Sequence, residues 1–129
     1  MSEPDPLTAP IEGAECKTAG GVTRDIVRVG NGRVCRTIYY PGFTWEKDMH
    51  QAVKVDVCTH AHVGFLARGH LEAHFPDGCR REYIAPAVVF LEPGHVGSVV
   101  GDEPAVLVEV DFEGETVRVF GMPAAHGHE

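Results

Sequence analysis

The stretch CTHAHVGFLARG, residues 58–69, decides how this chain is interpreted. It places His60 and His62 two positions apart and continues through an apolar segment to Gly69. In an extended strand, residues two apart project to the same face, so the two imidazoles are predicted to share one face. If that face lines a cavity, the pair is the beginning of a metal site.

Short strands are predicted on both sides of this stretch. Before it, two β-branched and aromatic runs flank the turn signal Gly30-Asn31-Gly32, which predicts a hairpin. Valine alternates with polar residues over 53–58, as in a half-buried strand. After it, turn signals at Asp77-Gly78, at Pro93-Gly94 and over 101–104 separate further short runs. About eight to ten strands with such regular turns, and no long helical periodicity, predict an all-β sandwich or barrel.

The last two runs carry more specific expectations. Residues 105–112 alternate in a pattern that we interpret as a strand with Glu109 and Asp111 facing outward. Residues 116–120 are predicted to add one last short strand. The segment with His126 and His128 has no strand pattern and is expected to be a frayed tail.

The length of 129 residues fits one domain. We divide it into an N-terminal arm or edge strand (residues 1–20), a β-barrel (21–120) and a C-terminal tail (121–129). A barrel is preferred because closure removes the exposed edges that so many short strands would otherwise leave.

Charge and composition exclude several classes of partner. The net charge is −8, the pI is near 5.4, and lysine and arginine form no block, so neither nucleic acid nor an anionic membrane is expected as a partner. No run approaches the roughly 18 apolar residues of a membrane span. The four cysteines contain no C-x-x-C pair, and no apolar signal segment follows Met1. A cytoplasmic protein with free thiols is the expectation.

Over about residues 41 to 112 the chain resembles the cupin superfamily. The resemblance rests on the run from His62 to Gly69, on the Asp77-Gly78 and Pro93-Gly94 turns, and on the loop over 101–104. It is strongest to small single-domain cupins with a His-Val-Gly-aromatic run and a later Pro-Gly-His. The resemblance implies a jelly-roll β-barrel that holds its metal and its substrate inside.

The match to the family's first motif has two possible registers. That motif has two histidines one residue apart, then a glutamate, and then six residues and a glycine. Counting back from Gly69 places His62 at the glutamate position. Alternatively, His60 and His62 are the histidine pair, with a shortened loop and no glutamate. The second motif's histidine would fall at Gly97, and His95 lies two residues before it.

The candidate metal ligands follow from the chemistry of imidazole, which binds zinc, iron, copper and nickel. His60, His62 and His95 are the imidazole candidates, and the fourth ligand could be Cys58, Asp56 or His50. The expected ion is a divalent transition metal, namely zinc, iron or nickel. The alternative is structural: a hydrogen-bonded His62, a solvated His60, and a loop histidine at position 95 that bonds to backbone.

Two further residues are candidates for ligand binding. Trp45 could line the mouth of the barrel and stack on a ligand, although core packing would also explain it. Arg68 alternates with His62 and could meet a carboxylate inside the barrel.

Two functions fit these residues, and the sequence does not decide whether the protein is an enzyme. One is a binding module for a metal or a small polar ligand, acting as a sensor, carrier or accessory subunit. The other is a metal-dependent oxygenase or isomerase acting on a small organic substrate. A homodimer is expected, with the polar strand face of His70, Glu72 and His74 as its seam.

Overall fold

The computed structural model describes residues 5–45, 58 and 60–126. His50, Asp56 and most of the strand predicted over 53–58 therefore lie outside the described residues. Among the described residues, no helix is long and apolar enough to cross a membrane.

The described chain is mostly β-strand, which confirms the all-β class. Its strands are β1 (Glu15–Ala19), β2 (Val22–Val29), β3 (Gly32–Tyr39), β4 (His62–Arg68), β5 (His70–His74), β6 (Arg80–Ile84), β7 (Ala87–Leu91), β8 (Val96–Val99) and β9 (Ala105–Asp111). A 3-10 turn (Glu113–Glu115) and the short helix α1 (Thr116–Phe120) follow β9.

The strands form two antiparallel sheets. One has six strands in the order β1-β2-β3-β9-β4-β7, and the other has three in the order β6-β5-β8. Strands β2 and β3 pair from Val22–Tyr39 to Val29–Gly32, which confirms the hairpin predicted at Gly30-Asn31-Gly32. Gly30 has φ 57°, a left-handed conformation that suits glycine in a tight hairpin turn.

The hydrophobic core lies between the two sheets. Leu66, Val89 and Leu107 of the larger sheet pack in one cluster with Ala73 and Phe75 at the end of β5. In a half-buried strand only alternate residues face the core, and Leu66 and Leu107 occupy such positions in the paired strands β4 and β9.

The described ladders do not close into a barrel. Outside the two sheets, the described residues pair only at the single bridges Thr44–Ser98 and Cys58–His95. Closure needs a continuous ladder along the sheet edges, and most of the strand predicted next to Cys58 lies outside the described part of the chain. The observed architecture is thus two packed antiparallel sheets.

Residues 116–120 form α1 rather than the predicted strand. Thr116 Oγ1 donates a hydrogen bond to Asp111 Oδ1 at 2.7 Å and accepts one from the Phe112 N–H at 2.9 Å, which turns the chain directly after β9. Gly121, with φ 63°, ends the helix in the left-handed conformation typical of C-terminal caps. The strand prediction was wrong because the alternation of residues 116–120 carries no information about these hydrogen bonds.

Strand β4 lies unusually close to β9 at one glycine. Gly64 is paired with Glu109, and a Cβ atom added at Gly64 would lie 2.0 Å from the carbonyl oxygen of Val108. Only glycine fits there. This close approach sets the position of His62, two residues earlier, relative to Glu109.

Candidate metal centre

Three potential ligands, Cys58, His62 and His95, meet between the two sheets. One ligand atom from each lies within 4.8 Å of the others. His62 opens β4, and His95 comes directly before β8. The Cys58 N–H donates to the carbonyl of His95 at 2.6 Å, and the Gly94 N–H donates to the carbonyl of Cys58 at 2.8 Å. The bridge therefore holds the thiol and the second imidazole side by side.

The His62 ring is oriented by a buried carboxylate. Its Nδ1 lies 2.5 Å from Glu109 Oε1, and the other carboxylate oxygen accepts a hydrogen bond from Thr37 Oγ1 at 3.2 Å. Glu109 is only 4% exposed. With Nδ1–H donating to Glu109, the other ring nitrogen, Nε2, faces Cys58 Sγ at 3.6 Å. Metal-binding histidines usually have such a carboxylate partner.

The His95 ring is oriented by backbone. Its Nδ1 donates to the carbonyl oxygen of Glu92 at 2.9 Å, which leaves Nε2 available for a metal. The ring is 3% exposed, and its centroid lies 5.0 Å from that of His62. Both histidines thus use Nδ1 for orientation and offer Nε2 as ligand.

The electrostatics of the site favour a thiolate. Burial acts to raise the pKa of Cys58, but hydrogen bonds to His60, His62 and His95 outweigh it and lower the pKa to about 3. Burial acts to lower the pKa of His62, but Glu109 and Cys58 outweigh it and raise that pKa well above its usual value. Cys58 and His62 thus form a thiolate–imidazolium pair, in which the sulfur is already in the form that binds metals, and a metal would take the place of the proton on His62 Nε2.

The spacing of the donors fits a tetrahedral metal. Zinc binds sulfur at about 2.3 Å and imidazole nitrogen at about 2.0–2.1 Å, so two such ligands at a tetrahedral angle are about 3.5 Å apart. The distance from Cys58 Sγ to His62 Nε2 is 3.6 Å. Three protein donors leave a fourth position, which is the arrangement of catalytic and ligand-binding zinc sites.

A cavity of about 190 Å³ adjoins these ligands. Cys58, His62 and His95 are part of its lining, and so is Trp45, the predicted ligand-binding residue. The remaining lining is largely apolar and aromatic. Its charged members among the described residues are one arginine and four carboxylates, namely Arg24, Glu72, Glu109, Asp111 and Glu113.

His60 and Arg68 do not join the group of ligands. His60 is exposed and lines the same cavity, but β4 begins only at His62, so the two-residue alternation does not extend back to position 60. The pairing of β4 with β9 shifts between Leu66 and Arg68. Because a bulge breaks the alternation of faces, Arg68 leaves the cavity side and pairs with Asp5 instead.

Sequence reasoning missed Glu109, which was expected to face outward. In β9 it has the same parity as Ala105 and Leu107, which are fully or almost fully buried. The usable signal was the carboxylate partner that a metal-binding histidine usually requires. The expectation was wrong because the register of β9 cannot be fixed from alternation alone.

We expect Glu109→Gln to lower the affinity for zinc by about 10- to 100-fold while the fold persists, because loss of such a carboxylate partner typically has that effect. The measurement is a competition titration against a chelator of known affinity. Glu82→Gln is the matched control, since Glu82 pairs with His70 at 3.2 Å away from the cavity. Equal affinities of the Glu109 variant and the control would show that Glu109 does not support the metal.

In comparisons with known proteins, neither a family model nor a curated protein sequence matches this chain. The donors at the site are one buried thiol and two imidazoles with fixed orientations.

Proposed function

We propose that this protein is a small metal-binding module of the cupin type, which holds a divalent transition metal on Cys58, His62 and His95 beside a pocket for a small polar ligand. One observation carries the proposal. Two separate acceptors, the Glu109 carboxylate and the Glu92 carbonyl, occupy Nδ1 of the two histidines and leave both Nε2 atoms for a metal beside the Cys58 sulfur.

The jelly-roll assignment is part of this proposal. Two antiparallel sheets with a site between them support it. So does the position of the ligands, one at the start of the strand that runs to Gly69 and one directly after Pro93-Gly94. The homodimer and the cytoplasmic location stay predictions.

The donor set favours zinc, with iron and nickel as the other candidates. A thiolate and two imidazoles suit these ions, whereas magnesium and calcium prefer oxygen ligands. When bound, the metal would supply a Lewis acid with one position open to water or ligand. The protein's own contribution is to fix the ligands and to surround them with a largely apolar lining.

The cavity suits a small polar ligand. Its volume of about 190 Å³ is below the roughly 300–1,000 Å³ of sites for drug-sized molecules. Arg24 lines it, with one guanidinium nitrogen 3.3 Å from Asp111 Oδ2. Arg24 Nε is buried and has no hydrogen-bond partner among the described residues. Since buried polar groups normally have partners, a hydrogen-bond acceptor on the ligand would satisfy it.

The experiment that tests the metal site measures metal content. After expression in metal-replete medium, we expect His62→Ala and His95→Ala each to contain one equivalent less than the wild-type protein by elemental analysis. His74→Ala is the control, because His74 pairs with Glu72 outside the group of ligands. His95→Ala leaves the pair of His62 and Glu109 in place, so it tests the assignment separately if the His62 variant is unstable.

Two results would contradict the proposal. Less than about a tenth of an equivalent of any transition metal in the wild-type protein would exclude a resident metal. Equal metal content in the wild type and both ligand variants would show that these histidines do not bind it.

A second candidate function is a metal-dependent oxygenase or isomerase. The observation that favours it is the open fourth position next to a cavity lined by the same three ligands. Oxygen consumption by the iron-loaded protein in the presence of small carboxylic acids would support an oxygenase. Binding of these acids without turnover would favour the binding module.

A further inference from the structure

A second group of potential ligands lies at the turn between β5 and β6. Asp77, Cys79 and His126 each place one ligand atom within 4.8 Å of the others. The turn itself is fixed, because the Cys79 N–H donates to Asp77 Oδ1 at 2.9 Å. The second carboxylate oxygen of Asp77 lies 3.0 Å from Nε2 of His126, which approaches from the C-terminal segment.

His126 is held in place rather than frayed, contrary to the sequence-based expectation. Its side chain is 10% exposed, and its ring stacks on Phe75 with centroids 3.9 Å apart and planes inclined by 19°. Its Nδ1 donates to Glu92 Oε2 at 3.0 Å. Arg81 fixes that carboxylate through both terminal guanidinium nitrogens.

The histidine is held in the same way as the histidines of the first site, through a hydrogen bond at Nδ1. A carboxylate occupies Nδ1 of the histidine, so Nε2 is the nitrogen that faces the other donors. Zinc binds nitrogen and carboxylate oxygen at about 2.0–2.2 Å, which puts two such ligands about 3.3 Å apart in a tetrahedral site. The distance between His126 Nε2 and Asp77 Oδ2 is close to that, at 3.0 Å.

The charges around the turn also fit a cation. Asp77 places a carboxylate oxygen within 4.8 Å of the Cys79 sulfur. A metal ion would relieve the repulsion between the thiolate and the carboxylate. Arg81, the cation on the far side of Glu92, is already engaged with that carboxylate and lies 5.1 Å from the Phe75 ring centre.

We propose that Asp77, Cys79 and His126 bind a second divalent transition metal of the zinc class, with Glu92 orienting the histidine. Bound there, the metal ties the C-terminal segment to the β5–β6 turn. Sulfur, nitrogen and one carboxylate form a donor set that selects zinc-like ions over magnesium and calcium.

The second site shares no ligand with the first. Phe75 lies between them, with His126 stacked on it and the His95 ring centroid 6.2 Å from its own. Substitutions in one group therefore leave the ligands of the other in place, and the two proposals can fail separately.

The test is the stoichiometry of cobalt(II) binding, followed by the near-ultraviolet absorption of thiolate-bound cobalt. We expect two equivalents in the wild-type protein and one each in His126→Ala, Cys79→Ser and His62→Ala. Cys16→Ser is the matched control for the cysteine and should bind two, because Cys16 is exposed on the edge strand β1. Cys79→Ser replaces one atom of a partly buried side chain and leaves His126 in place, so it keeps the test valid if the His126 variant loses the packing of its tail.

The outcomes separate the two sites. If His126→Ala and Cys79→Ser bind as much cobalt as the wild type, the second site is refuted whatever happens at the first. If the wild type binds one equivalent that His62→Ala retains and both second-site variants lose, the second site stands and the first fails.

Discussion

Cys58→Ser is expected to lower zinc affinity by more than about 100-fold, because it removes a ligand, and loss of a residue that only hydrogen-bonds to a ligand already lowers affinity by up to about 100-fold. The serine hydroxyl stays protonated near neutral pH and cannot replace a thiolate whose pKa is about 3. The affinity is measured by chelator competition. The experiment is done in a Cys79→Ser background, so that the turn between β5 and β6 contributes no sulfur.

The spectrum of the cobalt complex provides a second measurement of the same change. In the Cys79→Ser background we expect thiolate absorption that disappears when Cys58 is also replaced. Adding Cys16→Ser instead should leave the absorption unchanged, since that thiol is exposed and remote from the ligands. Undiminished absorption in the Cys58 variant would mean that another sulfur binds the metal.

Gly64→Ala is expected to destabilise the fold by more than about 3 kcal/mol, the upper end of typical overpacking costs. The new methyl group would lie 2.0 Å from the Val108 carbonyl oxygen and 2.8 Å from the Glu109 Cα, and both are backbone atoms that cannot rotate away. For a domain stable by about 5–15 kcal/mol, this is a large part of the total. Urea unfolding followed by circular dichroism gives the free energy of unfolding.

Gly97→Ala is the matched strand control. A methyl group there would approach only the Glu72 carbonyl oxygen, at 3.9 Å, which is an ordinary contact. We expect the free energy of unfolding to change by no more than about 1 kcal/mol. Alanine lowers the conformational entropy of the unfolded chain, and this stabilising effect offsets small packing effects. Similar unfolding midpoints for the two variants would show that β4 and β9 separate at low cost, in conflict with the observed spacing.

The all-β class was predictable because its signals are local. Two-residue alternation and turn residues such as Gly30-Asn31-Gly32 act over a few positions, and the β2–β3 register agrees with them. Helix α1 was not predictable in this way, because it depends on bonds between Thr116 and a residue at the end of β9. The order of strands in the sheets also arises from contacts between distant parts of the chain.

The candidate site was predictable in its ligand types but not in its geometry. Cys58, His62 and His95 follow from the chemistry of their side chains and from the turn before His95. The exclusion of His60 depends on where β4 begins, and that of Arg68 depends on a bulge. Predicting the contact between Glu109 and His62 requires the register of β9, because the two residues are 47 positions apart, and no local pattern gives that register.

The position of Trp45 gives the protein a built-in optical reporter. It is the chain's single tryptophan, it is 8% exposed, and it lines the cavity with the three candidate ligands. Because there is no other tryptophan, all tryptophan fluorescence of the molecule originates at this cavity. Indole emission depends on the polarity and the quenching groups around the ring, so it responds to what occupies the cavity. Small molecules that enter it can therefore be screened by intrinsic fluorescence, without a label and without knowing in advance what the protein binds.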